Sequence, residues 1–191
     1  MSKQMLYGRL AFPYIFEPRA DKADPSKKPR YELTLLIDKK FPGVAKYKAA
    51  CLEVAVKKFG NASAAQAALQ ARPVFKDGNA KANPVEGFAD HYYIAARSTT
   101  MPDFFGPDRR KLSTDEARKL FYAGCYVNVI VSPWAYSSNG NRGVSHELVA
   151  LQFAGHGDAF SGRPTASADD FPDVSAQAGE TAFATGADDL I

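Results

Sequence analysis

Within residues 30–37, apolar side chains alternate at Tyr31, Leu33, Leu35 and Ile37, the period of a half-buried strand. Residues 5–16 read as an earlier strand, with Gly8 and Pro13 marking bends or an edge. Residues 91–98, 125–136 and 144–153 read as three more. The last two are joined by a polar tip at 137–143 that carries Asn139-Gly140, a hairpin signal. Between the second and third strands the period changes. Val44, Tyr47, Cys51, Val54, Ala55 and Phe59 recur at helical spacing over 44–59, and Gly60 and Asn61 stop the helix. Ser63 is placed to cap a short helix over 64–71, ended by Pro73. Ser113 and Glu116 have capping-box spacing for another, over 114–121. Residues 17–29, 72–90 and 99–112 read as loops.

This order is mainly β with inserted helices. It fits a five-stranded OB-fold-like barrel, whose strand 2–3 face and flanking loops commonly bind nucleic acid. A small sandwich or an SH3-like barrel has a similar strand count. From about Asp158 the character changes to Ala, Ser, Gly, Thr and Asp, too little apolar surface to offset ordering entropy. The expected organisation is a domain over 1–157 and a disordered acidic tail over 158–191.

Charge sharpens that division. The net charge of +3 is the sum of unlike parts: residues 1–157 hold 23 Lys and Arg against 14 Asp and Glu, and residues 158–191 hold one Arg against seven acids. A body at +9 is an electrostatic footprint for a polyanion. No apolar run is long enough to cross a membrane, and the first residues lack a signal-peptide pattern, so an intracellular place is expected. Cys51 and Cys125 have no neighbours at metal-ligand spacing, and neither a metal nor another cofactor is expected.

Single-strand binding needs cations that follow phosphates and aromatic faces that stack bases. The loop after the first strand offers Lys27, Lys28 and Arg30. The third strand places His91, Tyr93 and Arg97 on one face, with Tyr92 and Ile94 on the other. Trp134 and Tyr136, before the hairpin tip, share a face with Tyr126 and Asn128, and Arg142 follows the tip. Arg109, Arg110 and Lys111 form the densest basic cluster. Phosphate contact is expected from these cations, and stacking from some of Tyr93, Trp134 and Tyr136. Phe104 or Phe105 is a weaker stacking candidate. Tyr31 and Phe153 are expected in the core or at its edge, and most of Tyr7, Phe12, Tyr14 and Phe16 in packing. A flexible polyanion tethered to a cationic groove competes with DNA, and the tip Asp188, Asp189, Leu190 and Ile191 has acids and aliphatics with which to dock on a partner protein.

Walker, GxGxxG, HExxH and GxSxG motifs are absent from the sequence. A nuclease or junction resolvase would need loop acids such as Asp77, Glu86, Asp90, Asp103 and Asp108 to converge on metal ions. A structural or interaction protein whose basic face meets another protein is the other alternative.

The chain resembles the phage-encoded OB-fold single-stranded DNA-binding proteins of tailed bacteriophages. The resemblance is carried by Pro29 to Asp38 (PRYELTLLID), Tyr122 to Val129 (YAGCYVNV), Asn141 to Ser145 (NRGVS), Ala150 to Phe153 (ALQF) and the acidic tail. It spans roughly residues 3–160. It implies sequence-independent, non-catalytic coating of single strands in phage replication, recombination and repair, in the cytoplasm of the infected bacterial host. It also implies a tail that regulates binding or recruits replication proteins; no membrane is involved, and self-association is compatible with it. Some acidic tails of this class end in an aromatic residue, whereas this sequence closes on Leu190-Ile191.

Overall fold

The computed structural model describes residues 3–21, 24–81, 85–138, 140–160 and 172. Lys22, Asn139 and the tail tip Asp188, Asp189, Leu190 and Ile191 lie outside them. The chain divides into two units, Met1–Phe160 and Ser161–Ile191, and the first is a barrel.

Its strands are β1 (Gln4–Arg19), β2 (Arg30–Asp38), β3 (Lys76–Asp77), β4 (His91–Ser98), β5 (Asp103–Phe105), β6 (Tyr126–Ser138) and β7 (Asn141–Gly155). Five of them close: β4 pairs with β2, β2 with β1, β1 with β6, β6 with β7, all antiparallel, and β7 returns to β4 in parallel. This is the OB-type barrel expected from the sequence. Closure depends on the length of β1, whose first half pairs with β6 and whose second half pairs with β2. Gly8 sits where the strands converge, and a Cβ there would overlap the Leu36 carbonyl.

Leu6, Leu10, Leu33, Leu35, Ile94, Val127, Val129 and Leu151 fill the interior. Phe153 joins them as expected, and Tyr31 is half-buried. The run Leu35-Leu36-Ile37 is buried throughout, because β2 is covered on both sides. Outside the barrel Leu36 meets Ala11 and Phe88, with Val85, Tyr93 and Phe160 packed around them.

Helix α1 (Gly43–Phe59) buries Val44, Tyr47, Cys51 and Ala55 and ends at Gly60, whose φ of +88° suits a left-handed cap. Helix α2 (Ala62–Ala71) is capped by Asn61, which accepts from Ala64 N–H at 2.8 Å; Ser63 is already inside the helix. Asn caps at least as well as Ser and lies directly after the Gly60 stop. Helix α3 (Thr114–Leu120) carries the expected Ser113–Glu116 capping box.

Two stretches read as loops contain short strands. β3 pairs with β4, and β5 pairs in parallel with β7. Both are too short to show a period. The expected seven-residue hairpin tip is mostly ladder, zipped through Ser137↔Arg142 to Ser138↔Asn141. Among the described residues no helix is long and apolar enough to cross a membrane.

Candidate nucleic-acid interface

The outer face of β1, β2 and β4 is organised by register into three rows. One row is Tyr14–Glu32–Arg97, the next Ala11–Thr34–Ala95, and the third Arg9–Leu36–Tyr93, extended to Lys76 on β3. The alternation expected for β4 holds: Ile94, Ala96 and Ser98 are buried, while Ala95 and Arg97 are exposed and Tyr93 is half-exposed.

Two adjoining clefts open on this face and share Arg97. One, of about 260 Å³, is lined by Arg19, Lys28, Arg30 and Arg97, with Glu32 among them. The Arg97 guanidinium is 3.0 Å from the Glu32 carboxylate, and Arg19 reaches the same carboxylate at 3.5 Å. The other, of about 470 Å³, runs between the α2 end and the β6–β7 hairpin, past Arg72, Lys76, Tyr93, Ala95 and Tyr136. Of the expected contacts, Lys28, Arg30, Tyr93, Arg97 and Tyr136 are therefore brought together.

The hairpin side is built by side-chain bonds. Arg72 donates to Asn141 Oδ1 at 2.6 Å and approaches the Tyr136 hydroxyl at 3.5 Å. Tyr136 lies across Gly143, its register partner, where a larger residue would displace the ring. Trp134 meets Tyr136 edge-on at 5.9 Å and is 40% exposed beside the second cleft, whose lining includes Tyr136 and Ser145, the register partner of Trp134, but not Trp134 itself. Lys76 Nζ lies 5.9 Å from the Tyr93 ring. Arg72, Lys76 and Arg19 were missing from the site inferred from sequence. No local pattern signals Lys76, because a two-residue edge strand shows no period.

Other candidates stand elsewhere. Lys27 lines neither cleft and is paired with Asp24 and with Asp21, a second acid in the lining of the first cleft. Arg142 lies over the Phe59 ring at 5.7 Å. Arg109 lines a separate hollow with Met5, Phe105, Asn128 and Ile130. Arg110 holds Glu116 at 2.9 Å, and this bond, followed by those from Ser113, brings the Glu116 carboxyl down to about 2. Lys111 pairs with Asp103 at 2.7 Å. The Arg109–Lys111 cluster thus belongs to a different face from the groove. Phe104 is buried against Phe16 and Phe121, a correction to its reading as a stacking candidate. β5 pairing with β7 carries it inward. Tyr126 and Asn128, of the same parity as Trp134, form no patch with it: Tyr126 stacks on Tyr7, and Asn128 bonds Gln152. A register shift between Ile130 and Val131 separates the two halves of β6. Tyr7, Phe12 and Tyr14 are partly exposed, Tyr7 packing on Phe41 and Tyr126 and Phe12 on Phe88.

His146 contributes to the groove wall but not as a cation. It is buried with Nδ1 2.7 Å from the Tyr47 hydroxyl, and burial pushes its pKa down to about 4 against an opposing bond to the Val74 backbone. Cys51 beside Tyr47 is likewise pushed up to about 12 by burial. Among the described residues no group of three His, Cys, Asp or Glu is placed to hold a metal ion. Asp77 pairs with Lys39 and Asp90 bonds Asn79.

A family model described as Enterobacter phage Enc34, ssDNA-binding protein, matches residues 4–182. The chain belongs to this family of phage single-stranded DNA-binding proteins. The family binds DNA and is not enzymatic, so the nuclease and structural-protein alternatives give way. A relative, protein p50 of Acyrthosiphon pisum secondary endosymbiont phage 1, is 32% identical over 173 residues, covering 87% of this chain and 90% of its own. The single-stranded DNA-binding protein of bacteriophage Enc34, solved in complex with ssDNA, has the same fold: TM-score 0.66, 21% identity, 82% of this chain and 87% of that one. A single-stranded DNA-binding protein encoded by bacteriophage T7 shares it at TM-score 0.58 and 12% identity, over 87% and 99%.

Proposed function

We propose that this family member coats single-stranded DNA without regard to sequence, along the two clefts joined at Arg97. Phosphates are held by Arg19, Lys28, Arg30, Arg72, Lys76 and Arg97, and bases stack on Tyr93, Trp134 and Tyr136. The observation that carries this reading is the sharing of Arg97 by both clefts, which makes one basic, aromatic-lined groove across β4. Stacking is indifferent to base identity because every base has a π-face.

The same reading extends to the tail. The charge contrast between the body and residues 158–191 supports a competitor that occupies the groove until DNA displaces it. Asp188, Asp189, Leu190 and Ile191 then recruit replication or recombination proteins, in phage replication, recombination and repair in the host cytoplasm. Binding to labelled single-stranded and duplex oligonucleotides, with tail-truncated protein alongside, tests both halves. Binding that ignores strandedness, or that is unchanged by truncation at low salt, argues against the corresponding half.

A further inference from the structure

Phe12 is held outside the barrel by a strained backbone. Its φ is +46°, a region that a bulky side chain adopts only under constraint. It also precedes Pro13, which disfavours compact conformations in the residue before it. The strain falls in the gap of the β1–β2 register between Ala11↔Thr34 and Tyr14↔Glu32, a bulge. The result is a ring 47% exposed that meets one other ring and a cation. Phe88 lies 6.1 Å away, and Lys81 Nζ stands 5.8 Å from the Phe12 ring and 4.4 Å from that of Phe88. Spending backbone strain to expose an aromatic side chain has no value for the core, and bulges that re-aim a side chain gather at binding sites.

Register says where the ring stands. The middle row of the outer face, Ala95–Thr34–Ala11, consists of small residues between two taller rows. Arg97 and Tyr14 rise on one side, with Arg19 4.7 Å over the Tyr14 ring. Tyr93 rises on the other, braced by Phe88 at 5.2 Å. Ala95 lies in the groove already described, Thr34 beside it on β2 is half-buried, and Ala11 on β1 is buried with Leu36 and Phe88, so the row leads from the groove floor to the Phe88–Phe12 ring pair. Phe12 follows Ala11 and stands at that far end.

We infer that Phe12, with Lys81 beside it, is a second stacking platform for single-stranded DNA, at the opposite end of the groove from Trp134 and Tyr136. The strand crosses β4 and β2 over the small-residue floor, places a base on Phe12 and sets the adjoining phosphate near Lys81. This inference rests on the groove being the DNA path.

The test compares wild type, Phe12→Gly, Lys81→Gln and Arg97→Ala on oligothymidylates of about 4 to 16 nucleotides, the range of OB-fold site sizes. Glycine accepts a positive φ, so Phe12→Gly should melt no lower than wild type. It should bind the shortest oligonucleotides as wild type does, and lose roughly tenfold, the worth of one stacked base, on those long enough to reach β1. Lys81→Gln should show a smaller loss at the same lengths. Phe12→Gly binding every length like wild type, while Arg97→Ala fails, would overturn the platform and leave the groove intact. An equal loss at all lengths with a lowered melting temperature would overturn it too, by making Phe12 a packing residue. Failure of wild type to bind any oligonucleotide would remove the groove itself.

Discussion

Arg97 on β4 stands directly across the ladder from Glu32 on β2, its guanidinium 3.0 Å from the Glu32 carboxylate. On the proposed DNA path this carboxylate stands between Arg97 and Arg19, where a phosphate would bind. A phosphate entering the groove must compete with it. An ion pair at this degree of exposure is worth about 0.2–1 kcal/mol, so Glu32→Gln is expected to tighten binding by up to about fivefold at low salt. Fluorescence anisotropy on a labelled single strand measures this. Weaker binding would mean that Glu32 positions the arginines rather than competing for them.

Trp134 is the single tryptophan of the chain and is partly exposed. Saturating single-stranded DNA should quench its emission. Tyr136→Ala should cost about 1–3 kcal/mol of affinity, the worth of a stacked base. An emission spectrum that does not move on saturation would take Trp134 out of the DNA path.

The place to truncate follows from the body's last residues. Arg9 donates to the Asp158 carbonyl at 2.5 Å, and its guanidinium lies 4.2 Å over the Phe160 ring. The Phe160 N–H in turn donates to the Ala123 carbonyl at 2.9 Å. A chain ended after Phe160 keeps this packing and sheds six acids and one arginine. It should bind single strands more tightly than the full chain at low salt, and the gap should close as salt rises. Equal affinities at low salt would contradict competition by the tail.

His146 makes stability depend on pH. Its folded pKa of about 4 lies below the ordinary 6.5, so between those values the unfolded chain binds a proton that the folded chain refuses. Stability should therefore fall by about 3 kcal/mol as pH drops through this window, and be unaffected by the group above it. His146→Gln should lessen the difference between urea midpoints at pH 7 and pH 5. At pH 7 the same variant should be less stable than wild type by about 1–3 kcal/mol, because the buried Tyr47 hydroxyl loses its 2.7 Å bond to Nδ1 and keeps only the weaker one with Cys51. A difference between midpoints as large as that of wild type would assign the acid sensitivity to other groups.

The parts of the fold and groove that could be read from sequence are those with a period. Alternation in β4 placed Tyr93 and Arg97 outward together, and helical spacing placed Tyr47 and Cys51 in the core. Phe104 shows where local pattern fails: a parallel ladder to Leu151, far along the chain, buries it. Arg72 and Lys76 enter the groove through the tertiary path of the α2–β4 connection, and neither has a sequence neighbour that signals it. Arg109, Arg110 and Lys111 drew attention by density. Density counts charge and is blind to Asp103 and Glu116, which take up two of the three. Phe12 required a bulge to be exposed, and a bulge is invisible to alternation.

The most direct test of the groove is the salt dependence of single-strand affinity for wild type and Arg97→Ala, with duplex of the same sequence as a control. Each phosphate contact on a single strand contributes about −0.7 to the log–log slope. The groove predicts tighter binding to the single strand than to duplex, with a steep slope that becomes shallower by about 0.7 in the variant. Equal slopes and equal affinities for the two proteins would mean that the DNA does not cross β4 at Arg97, and would contradict the account.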